Sequence, residues 1–342
     1  MKLDAVGIDI GYSNTKGAFG DGPVPQTFVL PSGAGLADTL SEDVGVGSDR
    51  PSQAELIEIG GRQYIACIDQ NYLRTKRTRH ANYPLTEEYL ALYYAALAKL
   101  EATEIAVLVT GVPVEQYANK KFCGQLADRL RGEHNIRKEV SVTVHEVIVT
   151  GQPVGSFADA SIQLGTESDR LIIRHGHVLV EDPGYYSNDW AVFEQGRLIP
   201  SASGSNSLAM GQVLEMAAQR IEHELGDHVK PEKIEQALRS GARTILFHGE
   251  HLDYAPFLKT ALNTLQRDAV TDLMNSKNLE REQFDLVLLT GGGAEYYRPI
   301  VAQAFPGTRI EVLPRAVAAN ARGYWLLATT RYRGSLHRVS EK

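Results

Sequence analysis

Two stretches far apart in this chain echo one another, and no other feature restricts its fold as much. Asp9-Ile10-Gly11-Tyr12-Ser13-Asn14 is matched by Asp182-Pro183-Gly184-Tyr185-Tyr186-Ser187-Asn188. Each places a carboxylate at the end of an apolar strand pattern, then a tight polar turn, then a second strand pattern. A short string such as Asp-x-Gly-Tyr arises by chance; the same strand-turn-strand setting in both halves is what a duplicated domain produces. The length agrees. At 342 residues the chain exceeds one ordinary core and suits two domains of roughly 150 residues.

The periodicity between the echoes fills in the class. Val6–Ile10 and Thr15–Phe19 read as one hairpin, Leu56–Ile59 and Tyr64–Ile68 as another, and the segment 21–53 between them is rich in Gly, Pro, Ser and Asp. A helix is expected from Thr86 to Leu100 behind a Thr cap, a strand at Ile105–Val109, a helix over 116–131 and strand pattern through Val140–Val149. The second half has strands at Val178–Glu181 and Trp190–Phe193, helices over 207–225, 231–240 and 254–277, and a buried strand Leu286–Leu289. A helix from Tyr296, a strand Ile310–Leu313 and a last helix over 315–329 complete it. Strands alternating with helices in both halves predict an α/β protein of two related layered domains.

Composition narrows the partners. With 35 basic against 42 acidic side chains the formal charge is −7, so the field of the whole molecule repels nucleic acid and anionic membrane, and no direct nucleic-acid contact is expected. Cys67 and Cys123 allow at most one bridge, which points to a reducing compartment. The N-terminus enters a strand pattern with no basic stretch ahead of an apolar one, and the apolar runs are too short to span a bilayer. A cytoplasmic protein without membrane attachment is expected.

A hairpin tip of Gly and small polar residues exposes N–H groups that can converge on phosphate oxygens. Two such tips facing each other would clamp a polyphosphate. Asp9 and Asp182 would then hold Mg²⁺ through its water shell, and Lys16 would aim its ammonium at the β-phosphate. Taken singly, each turn is also read as an ordinary Asp-capped turn. A third element is Leu288-Leu289-Thr290-Gly291-Gly292-Gly293-Ala294, a buried strand delivering three glycines to a helix N-terminus, where a ligand can approach the main chain closely. It lacks the spacing of a dinucleotide fingerprint, and no G-x-x-x-x-G-K-[ST] occurs.

Asp9-x-Gly-x-x-x-x-Lys16, Asp182-x-Gly-x-x-x-x-Asp189 and Gly291-Gly292-Gly293 resemble the phosphate-1, phosphate-2 and adenosine motifs of the actin, heat-shock chaperone and sugar-kinase ATPase superfamily. Val149–Ser156 is similar to its first interdomain crossover and Ala316–Gly323 to its second. Thr110-Gly111-Val112-Pro113 and Asn320-Ala321-Arg322-Gly323 most resemble plasmid-segregation actins of the ParM type and their archaeal relatives. The resemblance implies an actin-like duplicated fold, two ribonuclease-H-like domains around a nucleotide cleft, with domain I at 1–155 plus 315–342 and domain II at 156–314. It implies ATP or ADP and Mg²⁺ as ligands, ATP hydrolysis coupled to filament assembly, a second copy of the chain as partner, and a DNA-binding adaptor for plasmid segregation. Gln152 falls at the catalytic Gln or Glu position, where an amide aligns the attacking water without acting as a strong base, or else bonds the hinge backbone. Gly11, Tyr12, Ser13, Asn14, Lys16, Gly184, Tyr185, Tyr186 and the three glycines fall at nucleotide contacts. Glu215 is placed at the ribose or adenine pocket by analogy, with a solvated helix face as the other reading.

One departure stands out. Where actin relatives carry Asp-x-Gly-Gly-Gly-Thr-Thr, this chain has Pro183, Tyr185 and Tyr186. Pro183 offers no N–H donor, so Gly184 and the residues after it are left to make the phosphate contacts. Two other functions share the fold: a non-polymerising ATP-binding scaffold, and a small-molecule kinase, which needs a substrate-binding insertion. His248 and His251 read as loop histidines, Arg74–Arg79 as a solvated basic loop, and Arg331, Arg333, Arg338 and Lys342 as an unstructured basic tail.

Overall fold

A computed structural model describes residues 1–39, 53–73, 80–276, 279 and 282–340. The basic loop 74–79 and the side chains of Arg338 and Lys342 lie outside the described residues. The first strand pattern forms β1 (Lys2–Ile10) and returns as β2 (Asn14–Phe19), followed by β3 (Gln26–Pro31), β4 (Gly33–Leu36) and the expected second hairpin, β5 (Glu55–Ile59) with β6 (Arg62–Ile68). Helix α1 (Glu87–Lys99) starts where the Thr86 hydroxyl accepts from the Tyr89 N–H at 3.2 Å. After β7 (Glu104–Val112), the single helix expected over 116–131 is two, α2 (Val114–Ala118) and α3 (Lys120–Leu130). Asn119 leaves the helical region and caps α3 by accepting from Phe122 N–H at 3.1 Å. The half ends with β8 (Gly132–Arg137), β9 (Val140–Gly151), α4 (Gln152–Gln163) and α5 (Glu167–His175).

The second half runs β10 (His177–Pro183), β11 (Asn188–Glu194), β12 (Arg197–Asn206), α6 (Met210–Leu225), α7 (Pro231–Ser240), β13 (Thr244–Phe247), β14 (Glu250–Asp253), α8 (Ala255–Ser276), β15 (Leu286–Leu289), α9 (Ala294–Ala304), β16 (Arg309–Val312) and α10 (Ala319–Ser340). Two expectations change here. His248 is in a hairpin turn and His251 in β14, each with its own partner, Asp227 at 2.8 Å and Thr244 at 3.1 Å, so they do not converge. The tail expected to be unstructured continues α10 to Ser340.

The echo in the sequence is an echo in topology. One sheet has the order β3-β2-β1-β7-β9-β8, the other β12-β11-β10-β15-β16. In both, an antiparallel hairpin leads into parallel neighbours. Asp9 pairs with Lys16 and Asp182 with Asp189, the same offset in each hairpin. Each sheet buries both faces: Leu3, Val6, Ile8 and Ile10 with α1 and α3 on one side, and Ala5, Val107 and Val109 against Trp325 of α10 on the other; Leu179 and Val287 against α6, α8 and α9, and Val178 and Val180 against Phe157 of α4. Central strands enclosed in this way read as near-continuous apolar runs, as Leu286–Leu289 does.

The two halves meet along α4 and α10, which touch backbone to backbone. A Cβ at Gly323 would lie 1.7 Å from the Gly155 carbonyl oxygen, and one at Gly155 would lie 2.7 Å from that of Asn320. Beside this contact the buried Arg322 forks onto Asp159 and also donates to the Pro314 and Arg315 carbonyls at 2.7 and 3.1 Å. A bidentate guanidinium enclosed by protein fixes both helices in one arrangement.

Candidate functional site

The β1–β2 and β10–β11 hairpins point their tips at each other across a cavity of about 510 Å³. It is lined by Asp9, Gly11, Tyr12, Ser13, Asn14, Lys16, Gln152, Asp182, Gly184, Tyr185, Tyr186 and Gly291–Gly293. All of these sequence-derived candidates are brought to one cleft. Glu215 is the exception. Met210 and Leu214 of α6 line the cavity and Glu215 does not; at 100° per residue the position after Leu214 turns away from the stripe that 210 and 214 share.

The tips are built alike. Gly11 N–H donates to Asn14 O at 3.0 Å, and Gly184 N–H to Ser187 O at 2.9 Å. The Gly184 donor expected for phosphate is therefore spent closing its own turn. The large side chains that depart from the family pattern have structural work of their own. Tyr185 packs on α6, its carbonyl accepting from Gly211 N–H at 2.7 Å, while Tyr186 crosses the cleft to stack on Tyr12 with centroids 4.5 Å apart, and Tyr12 stacks in turn on Tyr83 at 4.4 Å.

Charge is concentrated at the floor. Asp9 is buried and bonded to Lys16 Nζ at 2.9 Å, and the Gln152 amide nitrogen donates to its other oxygen at 3.4 Å. Asp182 accepts from Asn320 Nδ2 at 2.7 Å. Asn320 is held by Ser156, whose hydroxyl and N–H both donate to its carbonyl oxygen, at 2.6 and 3.1 Å. Burial, reinforced by Asp9 and Asp189, pushes the Asp182 carboxyl up to about 7. Burial likewise carries Glu181 to about 7 and Asp189 to about 6, the latter despite Ser187 Oγ at 2.5 Å and Val114 N–H at 3.1 Å.

The glycine turn fits against this floor. A Cβ at Gly291, whose φ is 72°, would lie 2.0 Å from Asp182 Oδ1, and one at Gly293 would lie 2.6 Å from the Pro183 oxygen. Gly293 N–H donates to that oxygen at 3.0 Å. At Gly292 an added Cβ meets nothing within 4 Å, so the middle glycine fronts open space at the start of α9. Sequence reading named Ser13 but missed Glu235 and Arg239, which meet it at the cleft mouth; their trace was a Glu–Arg pair four residues apart on one helix.

The donor set fits a nucleotide with Mg²⁺. Two buried carboxyl groups, one raised by burial and then by neighbouring carboxyls, would be relieved of their mutual repulsion by a divalent cation, and a lysine and an open glycine beside a helix N-terminus suit phosphate. Among the described residues no group of three or more His, Cys, Asp or Glu is arranged to hold a metal by itself.

A family model for the N-terminal domain of actin-like proteins matches residues 7–155, and one for the C-terminal domain of archaeal MreB-like actin homologues matches residues 180–302. The chain belongs to the actin-like proteins. Its fold is the actin-like two-domain α/β fold. The archaeal actin homologue Ta0583 superposes with a TM-score of 0.74 at 19% identity, over 95% of this chain and 99% of that one. Its ADP complex gives 0.70 at 20% over the same shares. A subunit of a 15-stranded ParM filament from Clostridium botulinum gives 0.73 at 18%, over 95% and 98%. None of the curated proteins matches the chain. Among the described residues of this actin-like protein no helix is long and apolar enough to cross a membrane.

Proposed function

We propose that this actin-like protein binds and hydrolyses ATP with Mg²⁺ and polymerises into filaments of the ParM type that segregate plasmid DNA. The observation that carries the reading is the convergence of Asp9, Lys16, Gln152 and Asp182 from four separate elements on one cleft, with Gly292 open at its side. The ADP-bound archaeal homologue and the ParM filament, which share the fold, support nucleotide binding and self-assembly respectively.

Asp9 and Asp182 would hold Mg²⁺, which when bound neutralises phosphate charge as the terminal bond breaks. Lys16, its ammonium anchored by Asp9, would supply positive charge to the phosphates. The Gln152 amide nitrogen donates to Asp9, so its oxygen is the group that would accept a hydrogen bond from a water and align it. Asn320, itself fixed by Ser156, holds one oxygen of the Asp182 carboxyl in place. Tyr12 and Tyr186 close the hairpin tips over the site and restrict bulk water. Since the hairpins belong to different domains, nucleotide contact with both would bias the angle between domains, and with it the surfaces a second copy meets.

The protein would act in the cytoplasm, with an adaptor linking filament to DNA, since the charge of −7 disfavours direct binding. Right-angle light scattering of the purified chain tests the reading: a rise on adding ATP and Mg²⁺, followed by a decay as nucleotide is consumed, is expected. A flat trace at every reachable concentration would refute polymerisation.

A further inference from the structure

The mouth of the cleft is spanned by a polar cluster that neither the phosphate hairpins nor the hinge explains. Glu235 and Arg239 lie one turn apart on the same face of α7. The Ser13 hydroxyl, at the tip of the first hairpin, donates to Glu235 Oε1 at 2.6 Å and accepts from Arg239 Nη2 at 3.2 Å. The same guanidinium donates to Glu235 Oε1 at 2.8 Å, and its other terminal nitrogen pairs with Asp69, just beyond β6. Alongside, Asn71 Nδ2 donates to Gln236 Oε1 at 2.5 Å. Every one of these bonds except Arg239 to Glu235 joins α7 to the opposite half of the molecule.

The cluster is placed to transmit force. Ser13 is fixed to its own sheet by its carbonyl, which accepts from Ser32 N–H at 3.0 Å, so pulling on its hydroxyl moves the whole tip. Glu235 is 7% exposed, and the Asp69 and Arg239 side chains are 22% and 26% exposed. The pair is therefore screened less than a surface ion pair. The halves are also joined at α4 and α10, by the Tyr12–Tyr186 stack and by the Val114 N–H to Asp189 bond, and the mouth cluster adds a charged contact to these, away from the Gly155–Gly323 crossing.

We propose that Arg239 and Glu235 are positioning residues for the first phosphate hairpin: reaching from the far half, they hold Ser13 and Asp69 and keep the cleft closed, so that they set the rate at which nucleotide leaves. The proposal rests on the nucleotide reading above for its consequence, and on geometry alone for the closure. Opening the cleft breaks the Arg239–Asp69 pair and the Ser13–Glu235 bond together, because one guanidinium and one carboxylate serve both.

The test uses the full chain below its assembly concentration, with Arg239→Ala, Arg239→Lys and Asp69→Asn. Stopped-flow chase of a fluorescent N-methylanthraniloyl ADP should show release about tenfold faster for Arg239→Ala and Asp69→Asn, the loss expected for a charge-assisted pair. Arg239→Lys should recover part of the slow release, and Arg239→Ala with Asp69→Asn should be no faster than Arg239→Ala alone, since the loss of Arg239 already removes the Asp69 pair. Asp69 does not line the cavity, so Asp69→Asn should leave single-turnover hydrolysis within about twofold, whereas a general loss of structure would lower it. Small-angle scattering of the nucleotide-free chain should show a larger radius of gyration for Arg239→Ala than for the parent. Unchanged release and unchanged dimensions in both variants would overturn the clasp. Failure of the parent to bind the fluorescent nucleotide would instead overturn the nucleotide reading, with scattering still deciding the closure.

Discussion

Asp182 combines burial with two neighbouring carboxyls, so its negative charge is costly until a cation joins it. Burial raises Asp182 and Glu181 to about 7 in the folded chain, against about 4 for free carboxyls. The folded state then binds protons that the unfolded state releases, and stability falls as pH rises from about 4 to about 7. Nucleotide-free protein should therefore melt at a higher temperature at pH 6 than at pH 8 by differential scanning calorimetry, and Asp182→Asn should raise the pH 8 value and flatten the difference. Asp182→Ala should slow steady-state phosphate release by at least about 100-fold, the usual scale for losing a group that organises transition-state charge, with the fold intact by circular dichroism. Normal turnover would remove Asp182 from the site. Asp9, Lys16 and Asp182 were legible because a carboxylate at a strand end before a glycine turn is a local pattern. Glu235 was not, because its partner Ser13 is 222 residues away and nothing local in α7 distinguishes it from a solvated face. Glu215 lies outside the cavity lining for a complementary reason: helix phase decides that Met210 and Leu214 of α6 meet the cleft.

At the scale of elements, the closest constraint is the crossing of α4 and α10. Gly323→Ala would push a methyl into the Gly155 backbone and should destabilise the protein by about 3 kcal/mol in urea denaturation, the upper range for overpacking. Arg322→Ala leaves Asp159 enclosed and unpaired and should cost about 4 kcal/mol by the same measurement; a loss under about 1 kcal/mol would mean the helices are not held through this pair. The string Asn320–Gly323 was visible in the sequence, but that Gly323 exists to admit Gly155 required both helices in place. The hairpins were read correctly in position, since alternation and turn residues agree there. Helix α5 was missed although Thr166 and Asp169 form a capping box, a signal overshadowed by the polar residues around it. The break at Asn119 was hidden because the apolar stripe continues across it, and edge strands β8 and β12 carry too much Ser, Gly and charge to show a period.

For the whole molecule, duplication explains why so much was readable: two halves repeat one order of strands, so each hairpin had a counterpart to support it. What the sequence left dark is the relation between halves, which depends on contacts such as Tyr12 with Tyr186 that no local pattern announces. That relation is also where the function proposed for the chain resides, because a nucleotide gripped by both hairpins would be coupled to the angle between domains and so to assembly. The most direct test is negative-stain electron microscopy of the purified chain with and without ATP and Mg²⁺, beside Asp182→Ala. Filaments for the parent with ATP, and none without nucleotide, are predicted, with Asp182→Ala failing to disassemble on the parent's timescale or failing to assemble. Single particles under every condition, or filaments indifferent to nucleotide, would contradict the account.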